Sequence, residues 1–247
     1  MIIQVMLLGG KGLRFMHENH DLSSKKNESR SSNLPKQFYY LDQKQMVFCQ
    51  STILLAKTLK PNAIIFAVDP IFLEHESINQ QFELIKKLNI PTYHCFNGET
   101  RSLSLLNAIK TIEKKITEPL TDCKLIIHDA NRPYLSGEFL QRVKESTIKC
   151  NEQNPCYIPT LPVHDSMIMQ QENSAIKYVN RENYFKIQTP QIVYWSKLIQ
   201  CLAKISTKEW ASKTDEGSIM TSCNFPIDKY LGDEMNQKIT TKADIKK

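Results

Sequence analysis

The first apolar run, Ile2, Ile3, Val5, Met6, Leu7 and Leu8, is almost unbroken, the pattern of a strand buried on both faces of a parallel sheet. From Met46 to Leu59 the apolar positions change to helical spacing (Met46, Cys49, Ile53, Leu54, Ala56), which predicts a helix with one face on the sheet. Ala63 to Val68 is again continuous, Pro70 to Leu88 repeats apolar residues every three or four, and Thr92 to Phe96 is a short strand feeding Asn97-Gly98-Glu99. Leu103, Leu106, Ile109 and Ile112 share one side of a helix from Ser102 to Lys115, and Lys124 to His128 makes the next buried strand. Further on, Cys156 to Pro159 and Ile176 to Val179 are extended pieces separated by the polar turn Gln170 to Ser174, a hairpin-like pattern. Lys197 to Lys204 reads as a helix, Thr214-Asp215 as a helix N-cap and Lys229 to Leu231 as a last strand. Strands alternating with amphipathic helices predict an α/β fold with a doubly wound, mostly parallel sheet. A chain of 247 residues, 41% of them hydrophobic, can bury one sizeable core, so the expectation is a single domain over residues 1–247.

The polar positions locate candidate chemistry. The first strand runs straight into Leu7-Leu8-Gly9-Gly10-Lys11-Gly12-Leu13-Arg14. Glycines let the backbone approach a ligand and turn N–H groups towards it, and Lys11 and Arg14 add the charge that a polyphosphate needs. There is no Gly-x4-Gly-Lys-Ser/Thr, and Phe15 stands where a dinucleotide fingerprint wants a third small residue, so neither motif applies. A plain glycine turn between strand and helix is the alternative; Leu34-Pro35-Lys36-Gln37-Phe38, a further cation on a turn, favours the anion site. Between them Met16 to Asn33 is rich in Ser, Asn, Lys and His, the composition of a loop. Asp129 falls at the carboxyl end of a predicted strand, the edge where open α/β sheets bind ligands. A carboxylate beside a polyphosphate suits a hard cation such as Mg²⁺, whereas a salt-bridged turn through Arg132 is the structural alternative. His128 has no other zinc ligands near it in the sequence and reads as a hydrogen-bonded structural histidine.

The net charge of +6 changes this picture little. The cations are spread along the chain and aromatic residues do not interleave with them, so an anionic substrate accounts for the charge better than nucleic acid does. Seven scattered cysteines without a Cys-x-x-Cys read as reduced structural thiols. Neither a basic leader nor an apolar run of the ~20 residues a membrane span needs is evident, and the expectation is a cytoplasmic protein with no membrane partner.

Gly-Gly-x-Gly-x-Arg followed by Pro-Lys-Gln-Phe resembles the cytidylyltransferases that make CDP-activated polyol phosphates: the 2-C-methyl-D-erythritol 4-phosphate cytidylyltransferases and the CDP-ribitol pyrophosphorylases. Further matches follow in the family's order over nearly the whole chain: Gly98-Glu99-Thr100-Arg101 with Ser104, His128-Asp129-Ala130-Asn131-Arg132-Pro133, Pro162-Val163-His164-Asp165-Ser166, Val179-Asn180-Arg181, Gln188-Thr189-Pro190-Gln191, Thr214-Asp215 and Asn236 to Thr241. The resemblance implies transfer of CMP from CTP to a polyol phosphate with release of pyrophosphate. Arg14, Lys36 and Lys238 would carry the catalytic charge. Leu8, Gly9, Gly10, Lys11 and Gly12 would hold the nucleotide's phosphates, Gly98, Glu99 and Ser104 would read cytosine, and Asp129 would bind Mg²⁺. In this family residues 156–189 would form an arm crossing to a second subunit of a homodimer, with Asp165, Ser166, Arg181 and Thr189 on the polyol-phosphate side. The tract 16–33 is longer than the corresponding link in relatives, an insertion beside the site, and Ile168 stands where a lysine is common. Gly-Glu-Thr-Arg and Tyr184-x-x-Ile187-Gln188-Thr189-Pro190-Gln191 favour 2-C-methyl-D-erythritol 4-phosphate over D-ribitol 5-phosphate. A catalytically silent nucleotide-binding protein is a third reading.

Overall fold

The computed structural model describes residues 1–10, 34–170 and 175–245. Strand β1 (Ile2–Leu7), helix α1 (Val47–Leu59), β2 (Ala63–Ala67), α2 (Glu76–Lys86), β3 (Thr92–Cys95), α3 (Arg101–Lys115), β4 (Lys124–Asp129) and α4 (Gly137–Lys149) alternate through the first part of the chain. β5 (Cys156–Pro162), β6 (Met167–Gln170), β7 (Ile176–Val179), β8 (Phe185–Ile187) and β9 (Gln191–Tyr194) come next. Then follow α5 (Trp195–Lys204), α6 (Thr207–Ser212), α7 (Glu216–Ser222) and β10 (Asp228–Leu231). The main sheet has the order β10-β5-β9-β4-β1-β2-β3, with β8 paired to β5. β1 lies parallel to both β2 and β4, and β5 parallel to β10. β9 runs antiparallel between β4 and β5. The predicted doubly wound, mostly parallel sheet is the observed one.

The apolar run of β1, broken only by Gln4, is explained by its position. Alternate residues of a strand point to opposite faces, and both faces of β1 are covered. Ile3, Val5 and Leu7 pack with Leu105, Ile109 and Ile112 of α3 and Leu198 of α5. Met6 and Leu8 pack with Phe48 and Leu55 of α1, Phe82 of α2 and Phe139 of α4. Rings of Phe48, Phe66 and Phe82 meet tilted or edge-on at centroid separations of 5.1 to 6.3 Å, tying α1, β2 and α2 together.

Three sequence expectations change in detail. The stretch 70–88 is two pieces: a 3-10 turn, Pro70–Glu74, opened by Asp69, whose carboxylate accepts from the Ile71 N–H, and then α2, with His75 extended between them. The piece beginning at Cys156 is not half of a hairpin with 176–179. β5 is buried in the main sheet because its neighbours there are β9 and β10, and the hairpin is β6 with β7, in register Met167 with Val179. Helix α4 was not anticipated, although Phe139, Leu140 and Val143 sit at helical spacing behind a Ser136 cap. The β6–β7 pair forms a separate two-stranded sheet whose apolar side chains face solvent, Tyr178 being 77% exposed. The tract 16–33 and residues 171–174 of the polar turn lie outside the described residues. Among the described residues no helix is long and apolar enough to cross a membrane.

Candidate active site

Strand order reverses at β1: the chain continues through α1 on one face to β2, and returns through α3 on the other face to β4. Ligands of open α/β sheets bind in the crevice at the carboxyl ends of such strands. Here a cavity of about 400 Å³ opens at that point, with Gly9, Gly10 and Asp129 at its base. Gly10 has φ +107°, a left-handed conformation that favours glycine. The Gln37 amide donates to the Leu8 carbonyl at 2.7 Å and to that of Gly10 at 3.3 Å. It thereby fixes the glycine loop to the turn that places Lys36 in the cavity.

The opposite wall is the loop 98–100 and the start of α3. A Cβ on Gly98 would lie 2.4 Å from Leu103 Cβ and 2.6 Å from its carbonyl carbon, so only glycine fits. The Gly98 N–H donates to Ser104 Oγ at 2.9 Å, and that hydroxyl donates to the Thr100 carbonyl at 3.0 Å. Thr100 is the N-cap of α3, its Oγ1 accepting from the Leu103 N–H. Glu99 lines the cavity beside them.

Charge converges on Asp129. Arg101 Nε donates to Oδ1 at 2.8 Å, Lys238 Nζ to Oδ2 at 3.0 Å, and Arg132 Nε stands 3.6 Å from Oδ2. Burial opposes ionisation, but Arg101, Lys238 and Arg132 outweigh it and hold the Asp129 carboxyl well below the usual carboxylate range. The guanidinium of Arg101 also grips Glu216 in a two-pronged pair, at 2.6 and 3.0 Å. Burial alone would lower the Arg101 pKa; Glu216 and Asp129 reverse that and keep it charged. Lys238 leaves 42% of its side chain exposed towards the opening. The base of the cavity is thus a fixed carboxylate ringed by cations, with Lys36 across from it.

Behind Asp129 lies an ordered relay. Burial pushes the His128 pKa down from 6.5 to about 4, so the ring is neutral at pH 7. Its Nε2 faces the Arg132 carbonyl at 3.0 Å, which can only accept, and Nδ1 faces Thr189 Oγ1 at 3.0 Å. The proton therefore sits on Nε2, the Thr189 hydroxyl donates to Nδ1, and Thr189 Oγ1 accepts from the Asp129 N–H at 3.0 Å. Unfolded His128 binds its proton near pH 6.5 and folded His128 only near pH 4. Between those values unfolding takes up a proton, so stability falls as pH is lowered through the window. Denaturant unfolding should show roughly 2 to 3 kcal/mol lost through this group from pH 7 to pH 4.5, a loss missing from His128→Gln; parallel pH profiles would refute it.

The expected site residues sort as follows. Gly9, Gly10, Lys36, Gly98, Glu99, Ser104, Asp129 and Lys238 line one cavity. Leu8 contributes only its backbone, the side chain being core. Lys11, Gly12 and Arg14 lie outside the described residues. Thr189 requires correction: it is buried, its hydroxyl is committed to His128 and Asp129, and its carbonyl accepts from Asn236, so it positions Asp129 rather than facing a ligand. Asp165, Ser166 and Arg181 are exposed on the segment around β6–β7, outside this cavity, and the Arg181 guanidinium donates to the His164 carbonyl. Sequence reasoning missed the buried Glu216 partner of Arg101. Its only local signal was the Asp215 cap, which starts α7 and turns Glu216 inward.

Among the described residues no three His, Cys, Asp or Glu side chains converge as a metal site. Mg²⁺ is commonly held by one or two carboxylates, with phosphate oxygens and water completing the shell, and Asp129 is the carboxylate at the base of this cavity.

A doubly wound sheet whose switch point carries a glycine-walled, cation-ringed cavity defines a nucleotidyltransferase-type α/β protein. Residues 27–247 match the family model described as IspD: 2-C-methyl-D-erythritol 4-phosphate cytidylyltransferase. The chain belongs to that family. It is 29% identical over 246 residues to the 2-C-methyl-D-erythritol 4-phosphate cytidylyltransferase of Thermosipho melanesiensis, covering 99% of this chain and 95% of the relative. It is 30% identical over 218 residues to the bifunctional enzyme IspD/IspF of Wolbachia pipientis, covering 87% of this chain and 50% of that one. The crystal structure of the Francisella tularensis 2-C-methyl-D-erythritol 4-phosphate cytidylyltransferase has the same fold, with TM-score 0.70 at 21% identity, 99% of this chain and 96% of that one being covered.

Proposed function

We infer that the protein transfers CMP from CTP to 2-C-methyl-D-erythritol 4-phosphate and releases pyrophosphate. Family membership supports the reaction, and the observation that carries the assignment to residues is the cavity at the ends of β1 and β4, with Lys36 and Lys238 facing it. An oxygen of the phosphomonoester attacks the α-phosphorus of CTP; that P–O bond forms as the bond to the departing pyrophosphate breaks. The monoester's second pKa is about 6, so the nucleophile is already ionised at neutral pH and no strong general base is needed. What the chain supplies is position and positive charge. Lys36, Lys238 and Arg14 offset charge on the phosphoryl oxygens, the glycine loop of residues 8–12 approaches the phosphates, and Gly98, Glu99 and Ser104 take the cytosine. Asp129 would hold Mg²⁺, which would supply further charge neutralisation on the phosphates.

The arm completes the reading. The β6–β7 pair leaves Ile168, Ile176 and Tyr178 exposed, and an isolated hairpin is marginal in water. A two-fold homodimer in which the segment around β6–β7 of each copy reaches the other's cavity covers these side chains and brings Asp165, Ser166 and Arg181 to the polyol phosphate. The seven cysteines are free, which fits a reducing, cytoplasmic setting.

Pyrophosphate release from CTP and Mg²⁺ over a panel of polyol phosphates tests the reaction, and no release with any of them would leave a silent nucleotide-binding protein. The two candidate substrates differ by a branching methyl and chain length, worth about 1 to 3 kcal/mol. A kcat/KM for D-ribitol 5-phosphate about tenfold above that for 2-C-methyl-D-erythritol 4-phosphate would overturn the choice of substrate and leave cytidylyl transfer standing.

A further inference from the structure

Behind the loop that walls the active-site cavity lies a second cavity of about 520 Å³, sharing no lining residue with the first. It opens between the 3-10 turn Pro70–Glu74, the end of edge strand β3 and the C-terminal half of α3. Its size is within the range of small-molecule sites, roughly 300 to 1,000 Å³. Val68, Leu73 and Cys95 give it an apolar floor, and Phe96 stands at the mouth 67% exposed. The Asn107 amide donates to the Phe96 carbonyl at 3.0 Å and so fixes that residue against α3.

The rim has one sign of charge. Lys110 and Lys114 project from successive turns of α3, with Lys115 beside them, and no carboxylate lines the cavity. Among the described residues none of these three lysines is in an ion pair. His94, on the β3 side, has its pKa lowered by burial and by Lys86, and adds no compensating negative charge. Unpaired cations around an apolar hole are complementary to one kind of molecule, an anion with an apolar body: the charge satisfies the lysines, and the body removes Phe96, Leu73 and Cys95 from water.

We propose that this second cavity is a binding site for a small amphipathic anion, an alkyl or aryl phosphate, whose phosphate pairs with Lys110 and Lys114 while its apolar body lies on Leu73, Cys95 and Phe96. The proposal stands apart from the reaction assigned to the first cavity.

Hexyl phosphate titrated calorimetrically into the full chain is the direct test. The expected result is a dissociation constant of about 1 mM or tighter, weakened about tenfold or more by Lys110→Glu with Lys114→Glu and changed less than about twofold by Lys36→Ala. Inorganic phosphate and hexanol, each carrying half of the chemistry, should bind at least about tenfold more weakly. The double variant should keep the parent's melting temperature and its turnover, since neither lysine touches the active-site cavity. Binding that survives the double variant, binding abolished by Lys36→Ala, inorganic phosphate binding as tightly as hexyl phosphate, or no heat at all would each overturn the proposal.

Discussion

Lys36→Ala is expected to lower kcat by about 10² or more while leaving the fold intact, because on the proposed reaction it removes preorganised positive charge from a crowded phosphoryl transition state. The turn carrying Lys36 is held by its neighbours: Gln37 bonds the glycine loop and Phe38 is buried against Phe48 and Phe72. Truncating the lysine leaves those contacts alone, so the melting temperature should stay within a few degrees. Lys238→Ala acts from the other side of the cavity. Asp129 keeps Arg101 and Arg132 as partners, so the variant folds, and kcat falls by about the same factor. Single-turnover measurement with saturating CTP separates this from weakened binding. Near-normal turnover in either variant would remove that residue from the machinery.

Arg101→Met has the largest expected effect on stability. Its side chain joins Asp129 to Glu216, and Glu216 is completely buried. Taking away one partner of a buried pair strands the other charge, which costs about 3 to 5 kcal/mol. For a chain of this size each kcal/mol lowers the melting temperature by about 2 to 4 °C, so the drop should be about 6 to 20 °C. Glu216→Leu in the same background removes the stranded carboxylate and should recover a large part of that loss. A melting temperature within about 2 °C of the parent for the single variant would show that the pair carries no such weight.

Much of this architecture could be read locally. A strand buried on both faces needs apolar residues at nearly every position: β2 has them throughout, β1 is broken only by Gln4, and β4 is polar only at Lys124, His128 and Asp129, its ends. Helix α3 buries Leu106, Ile109 and Ile112 where the periodicity placed them, whereas α1 buries Phe48 and Leu55 and leaves the expected Ile53 and Leu54 half-buried. β5 was misassigned because adjacency along the chain suggested the 176–179 segment as its partner, whereas its actual neighbour β9 is inserted from farther along. Nothing within 156–179 encodes that choice. The site divides in the same way. Residue types marked Lys36 and Asp129 as phosphate chemistry and the local Asp129–Arg132 turn as a salt bridge, and the family resemblance added Lys238, but the pairing of Asp129 with residues 101 and 238 exists only once α3 and the segment after β10 are folded against β4. Thr189 is the instructive case: a hydroxyl in a conspicuous sequence motif points towards a ligand or towards the protein, and only the partner geometry shows the latter.

The place of β9 in the sheet also bears on how the chain is made. β1 to β4 pair among themselves once Asp129 has been synthesised, while the outer edge of β4 stays open until β9. β5 adjoins only β8, β9 and β10, all of which follow it in the chain. On the ribosome the apolar run of Cys156 to Leu161 therefore waits first for β8, about 25 residues later, and then for β9, about 30 residues later, which at ordinary elongation rates is roughly 1 to 6 s. During those seconds an unpaired apolar strand trails the four parallel strands, and strand edges left open in this way are where non-native pairing starts.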